Sequence, residues 1–195
     1  MNVVVVYAHP VDGSFCSALR DRVLASLTDA GHEVDLLDLY AEGFQPALSA
    51  AQHALHHSGP ETKPAIAAHA ARLSSAEALV FIYPTWFGSQ PAILKGWFDR
   101  VWGEGVAYTL PEGHNRVRPL LRKIRRLVVV ATHGSSKLVN ALQGEPGKRV
   151  ILRGMRSLCH PRARGRWVGL YGVDRSTRRQ RARMLNRVES IVSRL

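Results

Sequence analysis

Cysteine is scarce in this chain of 195 residues, since only Cys16 and Cys159 are present. Two cysteines cannot form the disulfide framework of a small secreted fold, and they fit a reducing compartment. Long apolar runs are also missing, because the β-branched run at residues 3–6 is far shorter than the roughly 20 residues that a membrane span needs. The first residues have neither the basic nor the apolar segment of a signal peptide. We therefore expect a cytoplasmic protein without membrane insertion.

Familiar nucleotide and metal motifs are missing as well. The GxxxxGKS/T sequence of P-loops and the GxGxxG sequence of Rossmann folds do not occur, which argues against those two kinds of phosphate site. Three histidines lie at near-helical spacing, but no HExxH motif or cysteine partner accompanies His53, His56 and His57. No metal site is predicted.

Acidic residues are few relative to basic ones, with 15 against 27, and the formal net charge is +12. Eleven arginines lie between Arg153 and Arg187. This excess is compatible with a nucleic-acid-binding face, with attraction of an anionic substrate, or with an ordinary solvated surface. No zinc-finger spacing or RNA-binding signature accompanies the arginines, so we predict no nucleic-acid partner.

The apolar pattern predicts a parallel α/β sheet in a single domain spanning residues 1–195. Short apolar runs predict strands at residues 2–8, 34–39, 78–83, 126–131 and 166–171. Helical spacing predicts helices from Ser14 to Gly31, over 66–73, from Pro91 to Trp102, over 150–158 and over 176–195. Residues 108–119 are predicted to be a loop.

Three loops with unusual residues follow predicted strands, at residues 9–17, 84–89 and 132–137. The carboxyl ends of parallel strands meet at one edge of the sheet, which is where ligands bind in open α/β folds. Ser14 is a candidate N-cap, and the helix N-terminus behind it can bind a phosphate. The Trp86-Phe87 pair offers a flat apolar wall, and Gly134 permits close approach of the backbone to a ring edge. The sequence thus predicts a site for a planar flavin.

Each of these residues also has an ordinary interpretation. His9 is compatible with a simple loop histidine, and Trp86 with Phe87 is compatible with core packing or a dimer contact. Ser14 is a routine helix cap whatever else it does. No base and orienting group accompany Cys16, so we interpret it as structural or as a backbone donor, not as a nucleophile.

The motifs YAHP, YPTWFGSQPAILKGWFDRVW, GVAYT and ALQGEPG together resemble the flavodoxin-like NAD(P)H:quinone oxidoreductases. That family includes DT-diaphorases, bacterial modulators of drug activity and flavin-bearing ancillary proteins of potassium-efflux systems. The resemblance covers nearly the whole chain. It implies a flavodoxin-like fold, with a five-stranded parallel sheet in the order 2-1-3-4-5 and helices on both faces. It also implies a homodimer and a bound flavin.

Carried over position by position, the resemblance implies three groups of flavin-binding residues. The residues implied around the flavin phosphate are His9, Ser14, Phe15 and Cys16, although the family usually has Asn where Cys16 stands. The ring groups comprise Pro84, Thr85, Trp86, Phe87 and Gly88 from one loop and Ala131, Thr132, His133 and Gly134 from another. His133 is bulkier than the family's glycine, and its ring is expected to line the pocket. The implied substrate pocket comprises Tyr108, Trp86 and His133, with Tyr108 as its roof.

The activity implied is two-electron, ping-pong hydride transfer through flavin N5, from NADPH or NADH to a quinone-like acceptor. The short chain favours FMN, with FAD possible, and the arginines favour NADPH. The Tyr and His of the DT-diaphorase proton relay are replaced in the KLVNALQGEP segment, which places the chain nearer the bacterial branch. The alternatives are a flavin-binding regulatory subunit of an ion-efflux or other partner, an azo- or nitroreductase, and a nucleic-acid-binding protein.

Overall fold

The computed structural model describes residues 1–55, 64–111 and 116–195. A five-stranded sheet forms the centre, and its strands are β1 (Asn2–Tyr7), β2 (Glu33–Asp38), β3 (Ala78–Pro84), β6 (Arg126–His133) and β7 (Arg164–Tyr171). Their order is β2-β1-β3-β6-β7, and all four pairings are parallel. This confirms the predicted order. A separate antiparallel ribbon pairs β4 (Tyr108–Thr109) with β5 (Arg118–Pro119).

Helices cover both faces of the sheet. The longer ones are α1 (Phe15–Asp29), α3 (Pro64–Ser75), α4 (Ala92–Val101) and α7 (Arg178–Val192), and the short ones are α2 (Ala50–Ala54), α5 (Lys137–Leu142) and α6 (Pro146–Arg149). The central strands are buried from end to end because helices cover both sides, which explains why their sequences are continuous apolar runs.

Alternation along β6 divides the core into two layers. Val128 and Val130 pack with α1 and α7, whereas Val129 and Ala131 pack with α3 and α4. Because side chains alternate along a strand, Thr132 lies on the α1 side and His133 on the opposite side. The same alternation holds in β7, where Val168 and Leu170 belong to the α1 layer. This division separates the two cavities described below.

Several predicted boundaries are wrong in detail. The helix predicted over 150–158 is a π-helical turn (Val150–Gly154) followed by a 3-10 turn (Met155–Leu158). Ile151 and Met155 are buried in either geometry, so their spacing did not distinguish a π from an α turn. Strand β6 continues two residues past its predicted end, because Thr132 and His133 pair with the end of β7. The predicted loop at 108–119 contains the β4–β5 ribbon.

Two further features bear on function. No helix in residues 1–55, 64–111 and 116–195 is long and apolar enough to cross a bilayer. Across the same residues, no three metal-binding side chains gather into a group that could hold an ion. Of the three histidines weighed in the sequence, His56 and His57 lie outside the described residues.

Candidate functional site

The loop after β1 presents the N-terminus of α1. The Ser14 hydroxyl accepts a hydrogen bond from the backbone N–H of Ser17 at 3.1 Å, which makes Ser14 the N-cap. The first N–H groups of a helix have no intrahelical acceptor, so the amides of Phe15 and Cys16 are left to bind something else. Together with the helix dipole they form a site for an anion.

His9 lies beside this helix end. The backbone N–H of Val11 donates to Nδ1 of His9 at 3.1 Å, and the Ser14 hydroxyl lies 3.2 Å from the same nitrogen. The carbonyl oxygen of Val11 also lies 3.2 Å from this nitrogen, so Nδ1 meets both a donor and an acceptor of Val11. The imidazole adds a polar group next to the helix N-terminus.

The loop after β3 is a tight turn. Trp86 and Ser89 exchange two backbone hydrogen bonds of 3.2 Å, and the residues between them, Phe87 and Gly88, have φ angles of 49° and 75°. Positive φ at both central positions is the pattern of a type I′ turn, which a phenylalanine adopts only at a cost in strain. The Trp86 side chain is half exposed, and that of Phe87 is fully exposed.

The loop after β6 is tied to the loop after β3. The backbone N–H and the hydroxyl of Thr85 both donate to the carbonyl of Thr132, at 2.8 and 2.6 Å. Beyond it, a Cβ built on Gly134 would collide with the carboxylate of Asp174. Position 134 therefore requires glycine as long as Asp174 keeps its place.

These three loops enclose a cavity of about 440 Å³ at the carboxyl edge of the sheet. This volume lies within the range of about 300–1,000 Å³ that is usual for small-molecule sites. The cavity brings together nine of the predicted residues: His9, Ser14, Phe15, Cys16, Pro84, Thr85, Trp86, Thr132 and Gly134.

Three further residues line the cavity that the sequence did not indicate, namely Val173, Asp174 and Arg181. The guanidinium of Arg181 donates to Ser176 Oγ at 3.0 Å and lies 5.7 Å from the ring centre of Phe15. Asp174 follows the carboxyl end of β7, so the rule that loops after parallel strands meet at one edge of the sheet applies to it as well. Nothing in the sequence distinguishes Arg181 from its neighbouring arginines.

Five predicted residues lie outside the lining: Phe87, Gly88, Tyr108, Ala131 and His133. Ala131 faces the α4 layer of the core, and Tyr108 belongs to the β4–β5 ribbon. Phe87 and Gly88 are the central residues of the turn, and they lie outside the cavity. The expectation that the His133 ring lines this cavity is wrong for the single chain, because alternation along β6 turns that ring to the other face of the sheet.

His133 lies in a buried polar cluster. Its Nδ1 is 2.7 Å from Oδ1 of Asn140, whose amide nitrogen donates to Ser135 and Ser136, and its Nε2 has no partner among the described residues. The ring stacks on Tyr171 with 4.5 Å between centroids, and burial lowers the pKa of His133. Tyr171 in turn donates to Glu145 at 2.5 Å.

The pKa of Cys16 supports the interpretation of this thiol as unreactive. Burial raises the pKa of Cys16 to about 12, with a small opposite effect from Arg20. Since the thiolate is the nucleophilic form, the side chain is inert near neutral pH. Cys16 nevertheless lines the cavity.

The residues present fit a flavin that carries a phosphate. Backbone N–H groups, the imidazole of His9 and the guanidinium of Arg181 suit that phosphate. The indole of Trp86 can flank a planar ring. The absence of a side chain at Gly134 leaves the edge of that ring accessible to backbone groups. Asp174 is an acceptor only, and it suits an N–H or a hydroxyl rather than the phosphate.

A parallel sheet in this order, with a cavity at its carboxyl edge, defines an α/β protein of the flavodoxin type. Residues 1–190 match the profile of the family described as having a flavodoxin-like fold, and the chain belongs to that family.

Among curated proteins, NAD(P)H dehydrogenase (quinone) 1 of Cavia porcellus is 31% identical over 166 residues, which are 76% of this chain. The chain spans 59% of that relative's length. Among solved structures, NAD(P)H:quinone oxidoreductase from Methanothermobacter marburgensis has a TM-score of 0.78 and 28% identity, covering 99% of this chain and 98% of that one. Smu.1420 from Streptococcus mutans UA159 has a TM-score of 0.86 and 25% identity, with full coverage of both chains.

Proposed function

We propose that this chain is a flavin-dependent NAD(P)H:quinone oxidoreductase whose flavin occupies the cavity of about 440 Å³. The observation that carries the proposal is the meeting of three loops around one slot, with anion donors at one end and an indole at its side. The names of the relatives support the same activity. The chain acts as one domain over residues 1–195.

The phosphate end of the cavity favours FMN. The amides of Phe15 and Cys16 and the side chains of His9 and Arg181 converge there, which is enough for one phosphate. A flavin held there would supply hydride transfer through its N5, between a nicotinamide donor and a quinone-like acceptor. The chain's own residues orient the ring: Trp86 flanks it, and the backbone from Thr132 to Gly134 faces its edge.

The protein acts as a homodimer in this proposal. A patch of large apolar side chains is exposed beside the cavity: Trp86, Phe87, Leu138, Val139 and Leu142. Helix α5 has the reverse of the usual amphipathic pattern, since its one buried residue is the polar Asn140 and its large apolar residues are exposed. A second copy would cover this patch. The predicted roof formed by Tyr108 requires such a copy, because Tyr108 lies outside the lining of the single chain.

A cytoplasmic location and a preference for NADPH complete the proposal. Cys16 and Cys159 are free, buried thiols, as a reducing compartment allows. The arginine excess favours the donor with the extra phosphate. A higher kcat/KM for NADH than for NADPH would contradict this preference.

The first experiment is the absorption spectrum of the purified protein, with mass identification of the released cofactor, followed by NADPH turnover with menadione. We expect a yellow protein that contains FMN and reduces menadione. A yellow protein without turnover would favour a regulatory subunit, and a protein that binds no added FMN would overturn the proposal.

A paired substitution tests the phosphate end. Arg181→Gln should weaken FMN binding about tenfold, which corresponds to about 1.4 kcal/mol. Arg183→Gln, an exposed arginine of the same helix outside the cavity, is the matched control and should leave FMN affinity unchanged. Equal losses in both variants would mean that only net charge matters.

A further inference from the structure

A second cavity, of about 770 Å³, lies beside β7 on the other face of the sheet. Leu152 and Gly165 line it, and Leu152 packs against the layer that contains Val129 and Ala131. The first cavity opens on the α1 and α7 side, so the sheet separates the two. The proposed flavin site does not include this second space.

The lining of the second cavity is strongly basic. It contains five cationic side chains and one carboxylate, Glu145: the cations are Lys148, Arg149, Arg153, Arg156 and Arg164. The carboxylate is already engaged, since it lies 2.7 Å from Lys148 and accepts a hydrogen bond from Tyr171. An uncompensated positive charge is therefore concentrated in a concave surface, which favours a bound anion.

The four arginines have no carboxylate partner within residues 1–55, 64–111 and 116–195. Arg156 is held in place by backbone oxygens, because its guanidinium donates to Leu152 at 2.9 Å and to Ala163 at 3.0 Å. Such anchoring leaves less conformational entropy to be lost when the guanidinium binds a ligand. All four arginines are exposed.

The helical segment formed by α6, the π turn and the 3-10 turn brings the arginines together. Arg149 ends α6, Arg153 lies in the π turn and Arg156 in the 3-10 turn, while Arg164 begins the adjacent strand β7. The π turn has more residues per turn than an α-helix, and such turns occur often at functional sites. Buried Ile151 and Met155 fix the opposite face of this segment to the core.

We propose that this second cavity binds a small anion carrying at least two phosphate groups. Guanidinium groups bind phosphate oxygens in pairs of parallel hydrogen bonds, which makes arginine the preferred residue for this ligand class. Cations contributed by both the helical segment and β7 exceed what one phosphate needs. The ligand is either the phosphate-bearing part of NADPH or a separate phosphorylated compound.

The test is isothermal titration calorimetry of the full-length, FMN-saturated protein with inorganic pyrophosphate at about 0.1 M salt, where long-range surface attraction is screened. We expect binding, and we expect the Arg149→Gln/Arg153→Gln double variant to bind at least tenfold more weakly. The matched control is Arg178→Gln/Arg183→Gln, which removes the same charge from exposed positions of α7 outside both cavities. It should change pyrophosphate affinity less than twofold.

Three results would overturn the proposal: no binding by the wild-type protein, equal weakening in the control variant, or weakening by Arg181→Gln alone. The last result would assign the pyrophosphate to the first cavity. The measurement does not depend on catalysis, and it can be repeated on protein without FMN. Its failure is therefore distinguishable from failure of the proposed reductase function.

Steady-state kinetics distinguishes the two sources of the phosphate. If the cavity holds part of NADPH, pyrophosphate competes with NADPH, and the Arg149→Gln/Arg153→Gln variant raises KM for NADPH and also for NADH, since both donors carry the same diphosphate. If it holds a separate compound, pyrophosphate binds without raising KM for NADPH. Either result, together with the calorimetry, supports the site.

Discussion

Two Trp-Phe pairs, eleven positions apart in the sequence, have opposite environments. Trp97 and Phe98 of α4 are buried, and their rings meet each other and Trp102 edge to face at 5.8–6.4 Å. Trp86 and Phe87, in the turn before the same helix, are exposed. Composition does not explain the difference. The helix lies over the sheet, where aromatic rings complete the core, whereas the turn projects beyond the sheet edge.

The largest effect is expected from removing a ring of the buried pair. Trp97→Ala should lower the free energy of unfolding by about 3–5 kcal/mol, because it removes a fully buried side chain and leaves a cavity. Urea denaturation measures this change. The comparison variant is Trp86→Ala, for which we expect a loss of less than about 1 kcal/mol because exposed side chains contribute little. Similar losses in the two variants would contradict the contrast.

A smaller loss is expected at the glycine that lets α4 approach its neighbour. A Cβ on Gly96 would come within 2.6 Å of the Cα of Pro46 and closer to its carbonyl oxygen. Gly96→Ala should therefore destabilise the protein by about 1–3 kcal/mol through backbone displacement. Gly154→Ala is the matched control, since a Cβ there meets nothing within 4 Å and should be neutral or slightly stabilising.

A substitution in the exposed pair should raise the free energy of unfolding, whereas the substitutions at Trp97 and Gly96 should lower it. Phe87→Asn should stabilise the free chain by about 0.5–1 kcal/mol, because asparagine tolerates the positive φ of this turn better than phenylalanine. The same change should weaken self-association, measured by sedimentation velocity over a range of concentrations. A destabilised monomer with unchanged association would mean that Phe87 serves the fold of its own chain.

His133 is an intermediate case, buried but polar, and it predicts the smallest effect. Burial lowers its pKa in the folded protein, so the unfolded chain binds a proton first as the pH falls. The contribution to stability is complete above the unfolded value of about 6.5 and is lost as the pH falls through the lower folded value. Urea midpoints measured from pH 8 to pH 5 should therefore decrease.

His133→Gln should reduce this dependence without abolishing it. Burial also lowers the pKa of His69, which gives a contribution of the same sign. A variant with the same pH profile as the wild-type protein would show that His133 is not responsible.

Much of the fold could be predicted because its signals are local. The β-branched run at residues 3–6 reflects burial on both faces of the sheet, and the N-cap Ser14 depends on one side-chain hydrogen bond. Three loops could be assigned to one edge because parallel strands impose that arrangement. The end of β6 and the π turn could not, since both depend on pairing and packing with distant segments.

The candidate site divides in the same way. Nine of its lining residues follow directly from the strand ends, whereas Arg181 enters the cavity from α7 through the packing of that helix on α1. The family resemblance made His133 a cavity residue, but its position in β6 directs it to the opposite face, against Tyr171. A shift of one residue along a strand reverses the face, and periodicity near a strand end does not fix it.

The amino-acid sequence by itself determined the strands, the capped helix and the loops at the carboxyl edge, because hydrophobic periodicity and turn chemistry act over a few residues. The order of the strands came from the resemblance to a known family. Only the tertiary structure decided which arginines gather in a cavity, which aromatic rings remain exposed and which way His133 faces. Those outcomes depend on contacts between segments far apart in the chain, whose geometry is set by the packing of the whole molecule.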